Sequence, residues 1–161
     1  MVKRSLHIEY FEFETCNGLS EELKGLVAEA DSNLKNAYAP YSNFKVSAVC
    51  KLSNGEVIKG TNQENGAYPS GLCAERVAIF AAKSQFPDEN VDKIVITTAQ
   101  SSTEPVSPCG ACRQVLIEYE ITQNQPIELT IKSGDSKVWQ FKSIGDILPF
   151  AFDGEFLKEK G

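Results

Sequence analysis

Three of the five cysteines in this 161-residue chain stand in two short runs, Cys73-Ala74-Glu75-Arg76 and Pro108-Cys109-Gly110-Ala111-Cys112. Zinc binds thiolate, not thiol, and the free N–H groups at a helix N-terminus lower a cysteine's pKa, so cysteines at helix starts are predisposed to ionise. Cys109 and Cys112 lie at i and i+3, where both sulfurs can face one ion; Cys73 must approach from another element. Three protein ligands leave the fourth tetrahedral position open, which is the arrangement of catalytic zinc, whereas structural sites normally close with four. Glu75, two residues after Cys73, is then a candidate for moving protons beside that position. Its plain alternative is a helix-start glutamate stabilised by the dipole. Three thiolates on a divalent ion sum to a negative charge, and Arg76, at i+3 from Cys73, is placed to donate to the sulfurs and offset it.

These groups can meet only if helices begin at both runs. Ala74, Val77, Ala78 and Ala81 mark one helix starting near Cys73, and Ser107-Pro108 is a cap followed by the residue favoured at the first helical position, predicting a second helix from Cys109 through Tyr119. Upstream, Leu6 to Phe13 reads as a strand. Ser20, Glu21 and Glu22 open a helix whose apolar positions recur from Leu23 to Ala37 and which Pro40 stops. Phe44 to Ala48 and Glu56 to Gly60 form a hairpin, for which Asn54-Gly55 has the residues of a type I′ turn. Ile94 to Thr98 is a buried strand; Ile127 to Ile131 and Val138 to Phe141 are two more. Ser143 and Asp146 have capping-box spacing before a short helix ended by Pro149. The order β-α-β-β-α-β-α-β-β-α implies an α/β fold with a mixed sheet of about five or six strands and helices on its faces. No repeat or linker divides the chain, so residues 1–161 read as one domain, with 1–15 an N-terminal extension that adds a strand.

Hydrophobic residues make up 42% and charged residues 24%, the mixture of a globular protein. A chain of this length buries roughly 70% of the surface its unfolded form exposes. The net charge of −6 disfavours a polyanionic partner, because nucleic-acid affinity comes largely from Lys and Arg on phosphates. No apolar run approaches the roughly 20 residues of a membrane span, and Lys3-Arg4 leads into Glu9, Glu12 and Glu14, not an apolar signal core. The expectation is a cytoplasmic protein with neither nucleic-acid nor membrane partners. His7, the only histidine, lies far from both cysteine runs. Cys16 and Cys50 have no partner at metal spacing and read as free thiols.

A lone C-x-x-C can be a redox motif or half a zinc site, and a lone C-x-E is common by chance, but the pair is specific. From Tyr41 to Phe152 the chain resembles the small, three-cysteine form of the cytidine deaminase family. The resemblance is carried by Phe44-Lys45-Val46, Asn62-Gln63-Glu64-Asn65, Tyr68, both cysteine runs, Ser107 to Leu116 and Leu148-Pro149. It implies a three-layer α-β-α sandwich, one Zn2+ per subunit on Cys73, Cys109 and Cys112, and Glu75 as proton carrier. It also implies hydrolytic deamination of cytidine and deoxycytidine to uridine and deoxyuridine in pyrimidine salvage, with water as co-substrate and ammonia released. Asn62 and Glu64 would bond the ribose, with Phe44 and Ala74 beside the substrate. Members of this size are homotetramers with sites near subunit interfaces, which would bring Phe152 and Tyr68 towards a neighbour's site. Three features depart from the family pattern: Gly66 replaces the usual alanine, Phe150 stands where glycine is common, and the stretch through Thr15 precedes the family's first helix. Other readings are a deaminase of another small heterocycle, such as an aminonucleoside antibiotic or a purine base, a polynucleotide editor, and a structural zinc or redox protein using Cys109 and Cys112.

Overall fold

A computed structural model describes residues 1–157. Its sheet has six strands in the order β1-β6-β5-β4-β2-β3, where β1 is Phe11–Phe13, β2 Val46–Leu52, β3 Val57–Thr61, β4 Val91–Thr98, β5 Glu128–Ser133 and β6 Val138–Phe141. Only β4 and β5 run parallel; the other neighbours are antiparallel. Three helices cover it: α1 (Glu21–Asn33), α2 (Ala74–Gln85) and α3 (Gly110–Gln123).

The period-2 alternation of the strands sorts side chains between two cores. Ala48, Cys50, Ile94, Ile96, Leu129 and Ile131 pack with α2 and α3, while Val49, Val95 and Val138 face the apolar stripe Leu23, Leu26, Val27 and Ala30 of α1. This is the three-layer sandwich expected. Ile94 and Val95, on opposite faces, are both fully buried, and each such side chain contributes about 1.5–3 kcal/mol of transfer free energy.

Topology brings the two cysteine runs together. β2 is antiparallel to both β3 and β4, so β3 and β4 run in one direction and α2 and α3, which follow them, begin at the same end of the sheet. Gly60 in β3 sets how closely α2 can lie: a Cβ there would sit 2.4 Å from the Ala78 nitrogen and 2.7 Å from the Ala74 oxygen. The absent side chain lets the first turns of α2 rest on the strand.

Several boundaries differ from expectation. The strand predicted over Leu6 to Phe13 keeps only Phe11–Phe13, paired with β6, because that strand ends at Phe141 and offers no ladder further on. The β2–β3 connection is not type I′: Gly55 has φ 89° but Asn54 is absent from the positive-φ residues. The Gly55 N–H bonds the Leu52 carbonyl and the Asn54 side chain accepts from Glu56 N, giving a three-residue loop with glycine at its left-handed position. α1 stops at Asn33 and tightens into a 3-10 turn at Leu34–Asn36. The Asn33 side chain is committed to Ser47 and to the Gly60 carbonyl, and the Asn36 carbonyl accepts from Thr61. The capping box of Ser143 and Asp146 forms as expected, over a 3-10 turn (Ile144–Ile147) and not an α-helix. Glu120 of α3 holds that turn, accepting from Ser143 Oγ at 2.5 Å and Ile144 N at 2.8 Å.

Candidate metal centre and active site

Both helices start one residue later than a sulfur. Cys73 is the N-cap of α2 and Cys109, not Ser107, is the N-cap of α3; neither sulfur accepts a capping bond from a backbone N–H of its helix. Their backbone carbonyls accept the first helical bonds from Val77 and Arg113, and the sulfurs stay free to turn towards each other. Cys112 joins them from the first turn of α3. Sγ of Cys73 and Cys109 are 3.9 Å apart, those of Cys109 and Cys112 are 3.5 Å apart, and all three lie within 4.8 Å of one another. Tetrahedral zinc with Zn–S bonds of about 2.3 Å places its sulfurs about 3.8 Å apart, so the cluster fits that ion. His7 is exposed and outside the cluster.

The electrostatics suit a cation. The Cys73 thiol is held at about 5, first by the hydrogen bond from Cys112 and then by Arg76 and Cys109, against the opposing effect of its burial. The Cys112 thiol is pushed up by the same bond and by burial. Arg76 Nη2 donates to Cys73 Sγ at 3.4 Å, the contact expected from the i+3 spacing. Glu75, in the first turn of α2, is 5% exposed, and burial raises its pKa. Burial of this kind disfavours the charged carboxylate and makes the group a better proton acceptor than an exposed glutamate.

Two connected cavities lead to these groups. An inner recess of about 320 Å³ has Cys73, Cys109 and Glu75 at its base and Phe44, Val46, Ile96 and Val106 among its walls. An outer shelf of about 460 Å³, lined by Tyr41, Tyr68 and Arg76 among others, shares Ser42, Asn62, Glu64 and Cys73 with it. The inner recess is where chemistry can occur, because it alone of the two touches Glu75.

The profile of the cytidine and deoxycytidylate deaminase zinc-binding region matches residues 20–125. The chain belongs to this deaminase family. A cytidine deaminase of Sporosarcina psychrophila is 38% identical over 137 residues, covering 84% of this chain and 95% of its own, and one of Halalkalibacterium halodurans is 37% identical over 134 residues, covering 83% and 96%. Among solved structures, the cytidine deaminase of Burkholderia pseudomallei superposes with a TM-score of 0.71 at 37% identity, covering 80% of this chain and 98% of that one. The zinc-binding region of the family spans all three sulfurs of the cluster.

The other residues singled out in the sequence are brought together unevenly. Phe44, Asn62 and Glu64 line the inner recess. Asn62 closes a clamp on the start of β2, its Nδ2 donating to the Phe44 carbonyl at 2.8 Å and its Oδ1 accepting from Val46 N at 2.9 Å. One amide hydrogen and one lone pair remain for a ligand. Glu64 accepts from Tyr41 N, Ser42 N and the Ser42 hydroxyl, which lower its pKa, the hydroxyl most, and one acceptor position remains. Tyr68 is 77% exposed and meets Tyr41 edge-on, their ring centroids 6.3 Å apart. Phe152 is exposed and outside both cavities; its carbonyl accepts from Gln114 on α3. Ala74 is fully buried in the core beneath the site. A Cβ at Gly66 would lie 3.1 Å from Tyr41 Oη, so the glycine gives that hydroxyl its place on the shelf.

Sequence reading missed Ser42 and Arg113. Ser42 orients Glu64 and also accepts from Phe44 N. Arg113 donates from Nε to the Pro108 carbonyl at 2.7 Å and from Nη1 to the Ile147 carbonyl at 3.1 Å, bracing the loop that carries Cys109. Arg113 adjoins Cys112, a signal that could have found it; Ser42 had none, being bonded to a residue far along the chain.

Proposed function

We propose that this chain is a single deaminase domain that hydrolyses cytidine and deoxycytidine to uridine and deoxyuridine, releasing ammonia. The observation that carries the reading is the convergence of three sulfurs at zinc spacing on a recess whose remaining acid, Glu75, is buried beside them. Cys73, Cys109 and Cys112 would hold one Zn2+, which when bound supplies the Lewis acidity that makes water acidic enough to lose a proton near neutral pH. Glu75 accepts that proton and hands it to ring N3 as the water oxygen adds to C4. It then takes the remaining hydroxyl proton and gives it to the departing amine, so water and cytidine balance uridine and ammonia. The same carboxyl serves as base and acid, which its raised pKa favours.

The apolar walls at Phe44, Val46, Ile96 and Val106 suit a planar base, and the unused hydrogen-bonding positions of Asn62 and Glu64 suit ribose hydroxyls. Ala74 supports the base from below, through the start of α2. Arg76 offsets the charge of the thiolates. The working assembly is a cytoplasmic homotetramer in which exposed Tyr68 and Phe152 approach a neighbouring site. No helix among the described residues is long and apolar enough to cross a membrane. A set of three sulfurs, two of them lining a recess that Glu75 also lines, speaks against a closed four-ligand structural zinc site.

The test is turnover by metal-analysed protein on cytidine, deoxycytidine, free cytosine and adenosine, with Glu75→Ala alongside. One zinc per chain, turnover of the two cytosine nucleosides, and a variant that keeps zinc but loses about 10²–10⁴-fold or more in kcat are expected. Full zinc with no nucleoside turnover, or an active Glu75→Ala, would overturn the assignment.

A further inference from the structure

The segment before β1 has the pattern of a strand and no strand to pair with. Leu6, Ile8 and Tyr10 alternate with His7 and Glu9, yet residues 1–10 carry no regular secondary structure and are exposed throughout. The row is nonetheless aligned with the sheet: the Tyr10 ring stacks on Phe141 at 5.3 Å and meets Trp139 edge-on at 5.4 Å. Phe11 pairs with Gln140, and β6 ends at Phe141, so the residues before Tyr10 overhang the end of their neighbour. β1 is also the terminal strand of the sheet. An apolar edge of this kind, with unpaired N–H and C=O groups, is a template for another strand.

We propose that residues 4–12 of one chain pair antiparallel with the same residues of a second copy, about a two-fold axis at Ile8. The segment complements itself in that register. Ile8 faces Ile8, Leu6 faces Tyr10, His7 faces Glu9 and Arg4 faces Glu12, so the basic beginning of each strand meets the acidic end of the other. Moving the register by one residue sets Ile8 against Glu9 and Arg4 against Phe13; moving it once more sets Glu9 against Glu9. Only the first alignment joins apolar to apolar and opposite charges together. Glu12 already accepts from Lys137 Nζ at 2.7 Å and Trp139 Nε1 at 3.0 Å, and a carboxylate has acceptor positions left for the arginine. The interface is isologous, each chain giving and receiving the same contacts, and it lies outside the residues that line the inner recess and outer shelf.

Cysteine cross-linking reads the register directly. In Ile8→Cys the two sulfurs meet across the axis, and copper-phenanthroline removes two electrons and two protons to join them as a disulfide, seen as a covalent dimer on a non-reducing gel. His7→Cys faces residue 9, not itself, and should yield about tenfold less dimer. The unaltered chain measures the background from Cys16, Cys73 and Cys109, which retain some exposure. Hydrogen exchange supplies a second reading: alternate amides between Leu6 and Tyr10, those that point at the second copy, should be protected in the native protein and lose about tenfold or more of that protection in Ile8→Lys, with kcat/KM for cytidine unchanged. Equal cross-linking of the two cysteine variants, no dimer above background, or amides exchanging at the unstructured rate in the purified native protein would overturn the pairing. The last result would leave the edge free or meant for a different protein's strand.

Discussion

The start of α2 and the middle of β2 each carry a cysteine, and the two thiols are shifted in opposite directions. Cys50 on β2 is fully buried, flanked in the sheet by Ile58 and Ile94, and burial alone pushes its thiol up to about 12. Cys73, half-buried at a helix start, is held at about 5 by Cys112, Arg76 and Cys109. Desolvation acts on both; donors aimed at the sulfur exist at only one. A metal centre therefore depends less on having cysteines than on a topology that ends β3 and β4, which flank β2 and run in one direction, at the same end of the sheet and leads from each into a helix.

The comparison breaks most sharply if the wrong thiol proves essential. Cys109→Ser should abolish stoichiometric zinc and lower deamination by more than about a thousandfold, since two remaining thiolates cannot complete the three-ligand set. Cys50→Ala should keep one zinc and near-native kcat. Zinc by mass spectrometry and turnover of cytidine decide it; a Cys50→Ala protein without metal would show that the strand thiol, not the helix-start cluster, governs the site.

A smaller effect sharpens the role of the donors. Arg76→Ala removes the guanidinium 3.4 Å from Cys73 Sγ and should cost about tenfold to a hundredfold in activity, with zinc partly retained. Arg76→Lys restores charge but not the planar donor geometry and should recover only part. If both variants turn over at the native rate, the low pKa of Cys73 owes nothing functional to that side chain.

Much of this site was readable before any coordinates because its residues are local in sequence. The i, i+3 pair Cys109 and Cys112 and the run Cys73 to Arg76 each lie on one helical turn, where spacing alone fixes direction. The order of strands and helices followed from periodicity in the same way. What escaped was non-local. Ser42 serves Glu64 across a loop, Arg113 spans from Pro108 to Ile147, and Asn62 turned out to clamp Phe44 and Val46, none of which a pattern in a short window can record. The shortened first strand belongs to the same class: Leu6 to Phe13 has strand propensity throughout, but a ladder needs a neighbour, and β6 supplies one only as far as Phe141.

The least conspicuous consequence concerns Cys50 alone. Its folded pKa of about 12 exceeds the ordinary 9.0, so between those values the native state keeps a proton that the unfolded chain releases. Stability from this source is complete below pH 9 and declines as pH rises towards 12, by about 1 kcal/mol between pH 8 and pH 10. Every other titrating group is common to the native protein and to Cys50→Ala. The difference between the two proteins isolates the one thiol. At pH 8 the alanine variant should be less stable by about 1–2 kcal/mol, from lost packing, and at pH 10 that gap should close or reverse. Urea unfolding of both proteins at the two pH values measures it; a gap that stays constant would mean that the Cys50 thiol ionises as readily in the sheet as in the open chain.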